Sequence, residues 1–334
     1  MPQLSIIIPS YNHARFLAER LSSICAQDFA DFELLVFDDA STDGSVQKIQ
    51  ELLSDQRYFL SVNATNSGSP FKQWEAALSI AKGKYIWIAE SDDSCDPAFV
   101  SSLIQRLQSA RAAIAFSRTR SIDEQGNCLD IPYWPEAVNK AFFAEHQTIP
   151  CSQFLRDFMP ARNCIPNTSS VIFTLQGFRE QALYASRQAA RYRYVGDWLF
   201  WCYMLKAYGS NRVVYEHRPL CYHRDHDSST RAPSARRNEK IHIKEYSDAV
   251  NQILLMQGYH APSVYLRAIF LRWWDWSYTE YFWRIKPAKL EILLGSPQCG
   301  LHTTAYWVYI ARSFFGRLIR AMAVVSARLK AFIS

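Results

Sequence analysis

Glu90, Asp92, Asp93 and Asp96 stand within seven positions of one another in the stretch WIAESDDSCDP, directly after the apolar run YIWIA. Carboxylates so close together repel, and beside a buried strand their ionised forms are costly unless something positive neutralises them. The simplest neutraliser is a divalent cation. The neighbouring ligands are hard oxygens with no Cys/His cluster beside them, so Mn²⁺ or Mg²⁺ suits the site better than Zn²⁺. Mg²⁺ typically takes one or two carboxylates and completes its shell with water and substrate phosphates. A carboxylate–metal site of this kind therefore points to a diphosphate held through the metal. Two further polar clusters follow apolar runs. SIIIPSYNHARF supplies Pro9, Ser10, Tyr11 and Asn12, and ELLVFDDASTDGS supplies Asp38 and Asp39. Singly, each cluster has an ordinary explanation as a turn, a helix cap or a solvated loop.

Their positions in the chain give the three clusters a common meaning. Apolar runs predict strands at Leu4–Ile8, Phe32–Phe37, Tyr58–Val62, Tyr85–Ile88 and Ala112–Phe116. Amphipathic stretches between them predict helices near His13–Gln27, Ser45–Leu53, Pro70–Ala81 and Pro97–Ser109. Pro97 suits a first helical position and Asp96 the N-cap before it. This alternation predicts an α/β fold, a Rossmann-like and mostly parallel sheet with helices on both faces. Ligands of such sheets bind beyond the carboxyl ends of the strands, where strand order reverses. With strand order 3-2-1-4 the three polar clusters become neighbours.

Past residue 118 the pattern is less regular. TRSIDEQGNCLDI predicts a hairpin turning at Gln125-Gly126-Asn127. A helix is expected over Asp197–Tyr208, a strand over Arg212–Tyr215, and helix from about Arg236 to the end. This divides the chain into an α/β domain, 1–230, and a helical C-terminal region, 231–334.

Composition narrows the class. The chain has 334 residues, 49% hydrophobic and 20% charged, which suits a globular protein. A net charge of +6 favours anions without pointing to nucleic acid. The 8 Cys show no C-x-x-C pair, and MPQLSIIIPS lacks a basic leader, so reduced thiols in the cytosol are expected. Only 11 Gly are present, with neither G-x-G-x-x-G nor G-x-x-x-x-G-K, so a glycine-rich phosphate loop is excluded.

In order along the chain, IIIPSYN, LLVFDDASTDGS, NSGSPFKQWEAALSIAKGKYIWIAESDD, YVGDW and PLCYHRDHDSS make the sequence resemble an inverting family 2 glycosyltransferase over about residues 4–228. The resemblance implies the A-type glycosyltransferase fold and a nucleotide-diphosphate sugar donor. It implies that Tyr11 lies against the base and that Asp39 accepts a hydrogen bond from it, which favours a UDP- or dTDP-type donor. Pro9, Asn12 and Asn66 belong to the same donor-binding set. Glu90-Ser91-Asp92 stands at the family's acid-x-acid motif. Asp92 would bind the metal and Glu90, where the family usually has Asp, would contact the ribose or assist the metal. Asp93 is the family's frequent extra acid and ranks below Asp92. Lys72 would meet the diphosphate or sugar. Asp197 would be the catalytic base; the family often has Glu-Asp there, and Gly196 replaces the Glu. Trp198 would wall a sugar site or fill the core. Arg224 and His226 match an Arg-x-His loop that orders over the donor, with His226 also a candidate metal ligand.

The last thirty residues divide on a helical wheel into a basic face with Arg312, Arg317, Arg320, Arg328 and Lys330 and an apolar face with Trp307, Phe314, Phe315, Leu318 and Met322. That pattern suits a helix lying in a membrane surface. The expected setting is the cytoplasmic face of the inner membrane, with a glycan or lipid-linked acceptor of bacterial polysaccharide or lipopolysaccharide O-antigen synthesis. Self-association is left open. A sugar nucleotidyltransferase, which would more often carry a Gly- or Arg/Lys-rich loop after the first strand, is one alternative. A membrane-tethered carbohydrate-binding protein, which has no need of the acidic trio, is another.

Overall fold

The structure is a computed structural model and describes residues 1–160, 162–227 and 239–258. Strands β1 (Leu4–Ser10), β2 (Phe32–Asp38), β3 (Tyr58–Val62), β4 (Tyr85–Ile88), β5 (Ser94–Cys95), β6 (Ala112–Ile122), β7 (Gln147–Pro150), β8 (Val171–Thr174) and β9 (Arg212–Arg224) form one sheet. Its order is β3-β2-β1-β4-β8-β6-β9-β5, with β7 also paired to β9. The helices are α1 (Ala14–Cys25), α2 (Ser45–Leu52), α3 (Pro70–Ile80), α4 (Phe99–Ser109), α5 (Lys140–Phe143), α6 (Cys151–Asp157), α7 (Arg179–Ala189), α8 (Gly196–Tyr208) and α9 (Glu239–Met256).

The first four strands are parallel in the predicted order, 3-2-1-4. Continuous apolar runs make β1, β2 and β4 strands covered on both sides, while β3, at the sheet edge, is only partly covered. Alternation sends Leu4, Ile6, Ile8, Leu34, Val36 and Trp87 into one core with Leu17, Leu21 and Ile24 of α1, Ile49 of α2 and Phe99 and Leu103 of α4. On the other side α3 packs on β1 and β2, and α7 packs on α3 and α8. The predicted hairpin is present: Gly126 N–H donates to the Asp123 carbonyl at 3.1 Å, and Ile122 bridges Cys128.

Pro9 sits inside β1, a central strand, where its missing N–H would normally break a ladder. The Ile7 carbonyl accepts from Ala89 N–H at 2.8 Å on the β4 side. Two residues on, Pro9 faces the same side, but β4 ends at Ile88 and no partner is lost. On the other side β1 stays paired to β2 as far as Ser10 and Asp38. Strands β1 and β4 therefore part at Pro9, where the strand order reverses.

Beyond β4 the sheet departs from the sequence reading. Strand β8 lies antiparallel between β4 and β6. Strand β9 does not stop at Tyr215 but runs to Arg224 through register shifts opposite Ser117 and Arg118. The polar stretch EHRP interrupts the apolar pattern and hides this continuation. Through it, Cys221 and Tyr222 pair with β5 and fix the end of β9 beside the acidic loop.

Helix α9 belongs to the compact unit Met1–His260, although the sequence division at 230/231 places it in the C-terminal region. Glu245 accepts from the Arg193 and Tyr194 N–H groups, and Gln252 bridges Tyr192 and Tyr203. Among the described residues no helix is long and apolar enough to cross a membrane. The basic, amphipathic terminal stretch lies outside the described residues. The cysteines among the described residues are free thiols.

Candidate active site at the strand ends

The loops after β1, β2 and β4 are locked to one another by side chains. Asp38, fully buried, holds Ser41 through both its N–H (2.8 Å) and its hydroxyl (2.6 Å). The Ser41 hydroxyl oxygen in turn accepts from Asn12 N–H at 2.9 Å, and Asn12 Oδ1 accepts from Thr42 N–H at 2.8 Å. Asn12 has φ 53, a left-handed conformation that Asn tolerates better than most residues. That turn carries His13 toward the β4 loop, where its Nδ1 lies 2.8 Å from the Ser91 hydroxyl. Tyr11 stays on the outside, 45% exposed.

Helix α3 joins the site from the other face of the sheet. Gln73 Nε2 donates to Asp39 Oδ1 at 2.8 Å, alongside Asn63 Nδ2 (2.7 Å) and Ser67 N–H (2.9 Å), while the Ser67 hydroxyl donates to Oδ2 at 2.8 Å. One residue on, the buried Trp74 indole lies near Glu90 and favours its ionised form without forming a hydrogen bond to it. Phe71, on the same helix, packs against Gly196 so closely that a Cβ there would lie 2.3 Å from the ring. The start of α3 thus touches the segments carrying Asp39, Glu90 and Asp197.

Three acids of the cluster, Asp92, Asp93 and Asp96, have partners for their carboxylates within the protein. Burial pushes Glu90 well above the usual carboxylate range, the charges of Asp92 and Asp93 add to this, and Arg20 opposes it. Arg20, fully buried on α1, donates to the Glu90 carbonyl at 2.8 Å. Burial alone would also raise Asp93, but its His223 partner and the Arg20 charge hold it below the usual range. Asp93 Oδ1 accepts from Arg224 N–H at 3.0 Å and lies 3.2 Å from His223 Nδ1. Asp96 accepts from Ala98 N–H at 2.8 Å, but α4 starts at Phe99 with Ala98 at its N-cap, two residues beyond the expected start, so Asp96 closes the turn before the helix and is not its cap. Asp92 Oδ2 lies 3.0 Å from His226 Nε2. Much of the neutralisation expected from a metal is therefore internal. The group best suited to a cation is narrower: His13, Asp92 and His226 offer ligand atoms that all lie within 4.8 Å of one another. A carboxylate with two imidazoles fits a divalent metal.

Comparison with known proteins identifies the chain. The sequence profile described as Glycosyl transferase family 2 matches residues 5–184, more than half of its length. The chain belongs to glycosyltransferase family 2. It is 37% identical over 95 residues to the poly(ribitol-phosphate) beta-N-acetylglucosaminyltransferase TarS of Staphylococcus aureus (strain Mu50), covering 28% of this chain and 17% of TarS. It is 31% identical over 132 residues to the GalNAc(5)-diNAcBac-PP-undecaprenol beta-1,3-glucosyltransferase of Campylobacter jejuni, covering 39% of each. The matches thus span well under two thirds of these relatives. The solved structure of S. aureus TarS 1–349 in complex with UDP-GlcNAc superposes with a TM-score of 0.62 at 18% identity, over 89% of this chain and 78% of that one. The architecture is the A-type glycosyltransferase fold.

Within this glycosyltransferase, the strand-end residues Pro9, Tyr11, Asn12, Asp39, Glu90, Ser91 and Asp92 lie where β2, β1 and β4 are neighbours. Lys72 is exposed, and its ammonium donates to the Ser67 carbonyl at 2.9 Å. Asn66 is exposed and closes its own turn by accepting from Gly68 N–H. Asp197 is in the first turn of α8, not at the N-cap, which is Val195. Its Oδ2 accepts from Asn163 Nδ2 at 3.0 Å. Gly196 has a local reason to replace the family's Glu, because Phe71 fills the space a side chain would need. Trp198 is core: it is 3% exposed, and its indole N–H donates to the Met159 carbonyl at 2.9 Å.

Arg224 differs most from the family expectation. It is 1% exposed, with Nε on the Asp92 carbonyl (2.8 Å), one terminal nitrogen on the Asp123 and Glu124 carbonyls (2.9 and 3.2 Å) and the other on the Glu19 carboxylate. In this structure the guanidinium braces the hairpin, the acidic loop and helix α1. Charged hydrogen bonds are each worth ~1.5–3 kcal/mol. Arg224→Met is therefore expected to lower stability by at least ~3 kcal/mol. A ligand-free thermal melt should show a fall of roughly 6 °C or more; an unchanged melt with weaker donor binding would return Arg224 to the donor site.

Sequence reading missed Arg20, His13 and Asn163. Arg20 carried a signal: it lies four residues from both Phe16 and Ile24, on the apolar face of α1. A cation on a buried face calls for an anionic partner.

Proposed function

We propose that the chain is an inverting, metal-dependent glycosyltransferase that takes a sugar from a UDP- or dTDP-type donor. Its acceptor is a glycan or lipid-linked glycan of cell-surface polysaccharide or lipopolysaccharide synthesis. The observation that carries this reading is the interlocking of the β1, β2 and β4 loops around Asp39, Ser91 and Asp92, with α3 reaching Asp39, Glu90 and Gly196.

Tyr11, exposed beside the β1 end, offers a ring for the base. Asp39 Oδ2, which among the described residues accepts from the Ser67 hydroxyl, has acceptor capacity left for a pyrimidine N–H. Glu90, raised by burial, suits a hydrogen bond to a ribose hydroxyl. Asp92 and His226 would hold a divalent cation, which when bound offsets charge on the departing diphosphate. Asp197 takes the proton of the acceptor hydroxyl as that oxygen attacks the anomeric carbon from the face opposite the diphosphate; the C–O bond to the diphosphate breaks and configuration inverts. Asn163 holds one Asp197 oxygen, which orients the carboxylate. Attachment to the inner membrane surface through the basic, amphipathic terminal stretch of the sequence, giving a peripheral enzyme on the cytoplasmic face, completes the proposal.

A thermal-shift screen of UDP, dTDP, GDP and the corresponding nucleoside triphosphates, each with and without Mn²⁺, tests the donor reading. UDP or dTDP should stabilise the protein, and only with the metal. Stabilisation by nucleoside triphosphates alone would favour a nucleotidyltransferase instead.

A further inference from the structure

We infer that His13, from the loop after β1, is a third protein ligand to the donor's cation, and that Ser91 is the residue that aims it. This rests on the proposal that Asp92 and His226 hold that cation.

The backbone at His13 is fixed on both sides. The left-handed Asn12 is held by Ser41 and Thr42, and His13 N–H donates to the Ser45 hydroxyl at 3.2 Å. The ring is fixed as well. Its Nδ1 lies 2.8 Å from Ser91 Oγ, and Ser91 is 2% exposed. With Nδ1–H donating to that hydroxyl oxygen, the lone pair left on the ring is at Nε2. Metal-binding histidines usually have this arrangement: an oxygen acceptor on one nitrogen sets the tautomer and leaves the other for the metal.

The remaining walls bring the other ligands to meet it. The His226 side chain is fully buried and its ring stands 4.8 Å from Phe16 and 5.6 Å, edge to face, from the His13 ring. His226 Nε2 and Asp92 Oδ2 are 3.0 Å apart. A simple buried ion pair would account for those two groups. It does not account for a second imidazole, from a different strand end, with one of its ring nitrogens within 4.8 Å of both.

The ligand set has consequences for metal choice. Carboxylate and water suit Mg²⁺, whereas imidazole nitrogens favour transition ions. Two imidazoles and one carboxylate should make this site prefer Mn²⁺ over Mg²⁺. Ser91, the middle residue of Glu90-Ser91-Asp92, then acts as a positioning residue for a ligand supplied by the first strand.

The test is Mn²⁺ binding by the full chain in saturating UDP, followed by the EPR signal of the free ion, with pulsed EPR counting the coordinated nitrogens. Two imidazole nitrogens are expected in the unaltered protein and one in His13→Gln. His13→Gln should weaken Mn²⁺ by at least ~10-fold and reduce the preference over Mg²⁺; Ser91→Ala should weaken it ~10–100-fold with two nitrogens retained. A single nitrogen in the unaltered protein, which needs no variant to fold, would overturn the assignment while leaving Asp92 and His226 in place. So would His13→Gln binding Mn²⁺ within twofold of the unaltered protein. No UDP-dependent Mn²⁺ binding at all would overturn the cation reading together with this one.

Discussion

Replacing Asp92 with Ala is expected to abolish Mn²⁺-dependent binding of UDP, seen by calorimetry as loss of the metal-dependent heat. Losing an outer-shell partner of a metal site typically costs ~10–100-fold in affinity, and a direct carboxylate ligand should cost no less. The fold should survive, because the Asp92 side chain is 18% exposed and pairs with His226. The loop itself is held through atoms the substitution leaves in place: the Asp92 carbonyl to Arg224, and Asp93 to His223 and the Arg224 N–H. A thermal melt close to that of the unaltered protein, beside silent calorimetry, is the expected pair of results. Unaltered UDP binding in the variant would remove the carboxylate from the site.

Asp197→Asn should fold, bind the donor normally and lose transfer by ~10²–10⁴-fold, the usual contribution of a positioned base. Asn keeps the shape and an oxygen to accept from Asn163, so the start of α8 should be undisturbed. The packing there depends on Gly196 against Phe71 and on the Trp198 hydrogen bond to Met159, neither of which the substitution touches. Donor affinity measured with UDP and single-turnover transfer measured with a competent acceptor separate the two roles. A kcat unchanged within a factor of a few would exclude Asp197 as the base.

The portion of the fold that was legible in the sequence is the portion with an unbroken physical signal. IIIP, LLVF and YIWI are strands buried on both faces, and the amphipathic stretches between them predicted α1 to α4. The helices begin or end within a few residues of expectation. Strand β8 was not visible, because four residues, VIFT, are too few to separate a strand from any buried apolar run. The continuation of β9 was hidden by a polar interruption whose register shifts only pairing reveals.

In the site, residue types at strand ends pointed to the donor-binding loops, but charge alone could not say which acid meets what. In the sequence Asp93 is only an extra acid ranked below Asp92; in the fold it is 1% exposed and holds His223 and the Arg224 N–H. Arg224 looks like part of a loop over the donor and instead joins the acidic loop, the hairpin and helix α1. His13 carried no distinguishing signal, since its meaning depends on a left-handed residue before it and on Ser91 nearly eighty positions away.

A second cluster, His146, Glu216 and His217, also brings potential ligand atoms together. There Glu216 already carries Arg106 and Arg218, which leave little charge for a metal. The two clusters allow the central claim to be tested directly by anomalous diffraction at the manganese edge from crystals grown with UDP and Mn²⁺. The account predicts one strong peak bonded to Asp92 and His226 and in contact with the diphosphate. A peak at Glu216 alone, or UDP bound at the β1–β4 strand ends with no metal beside Asp92, would contradict it.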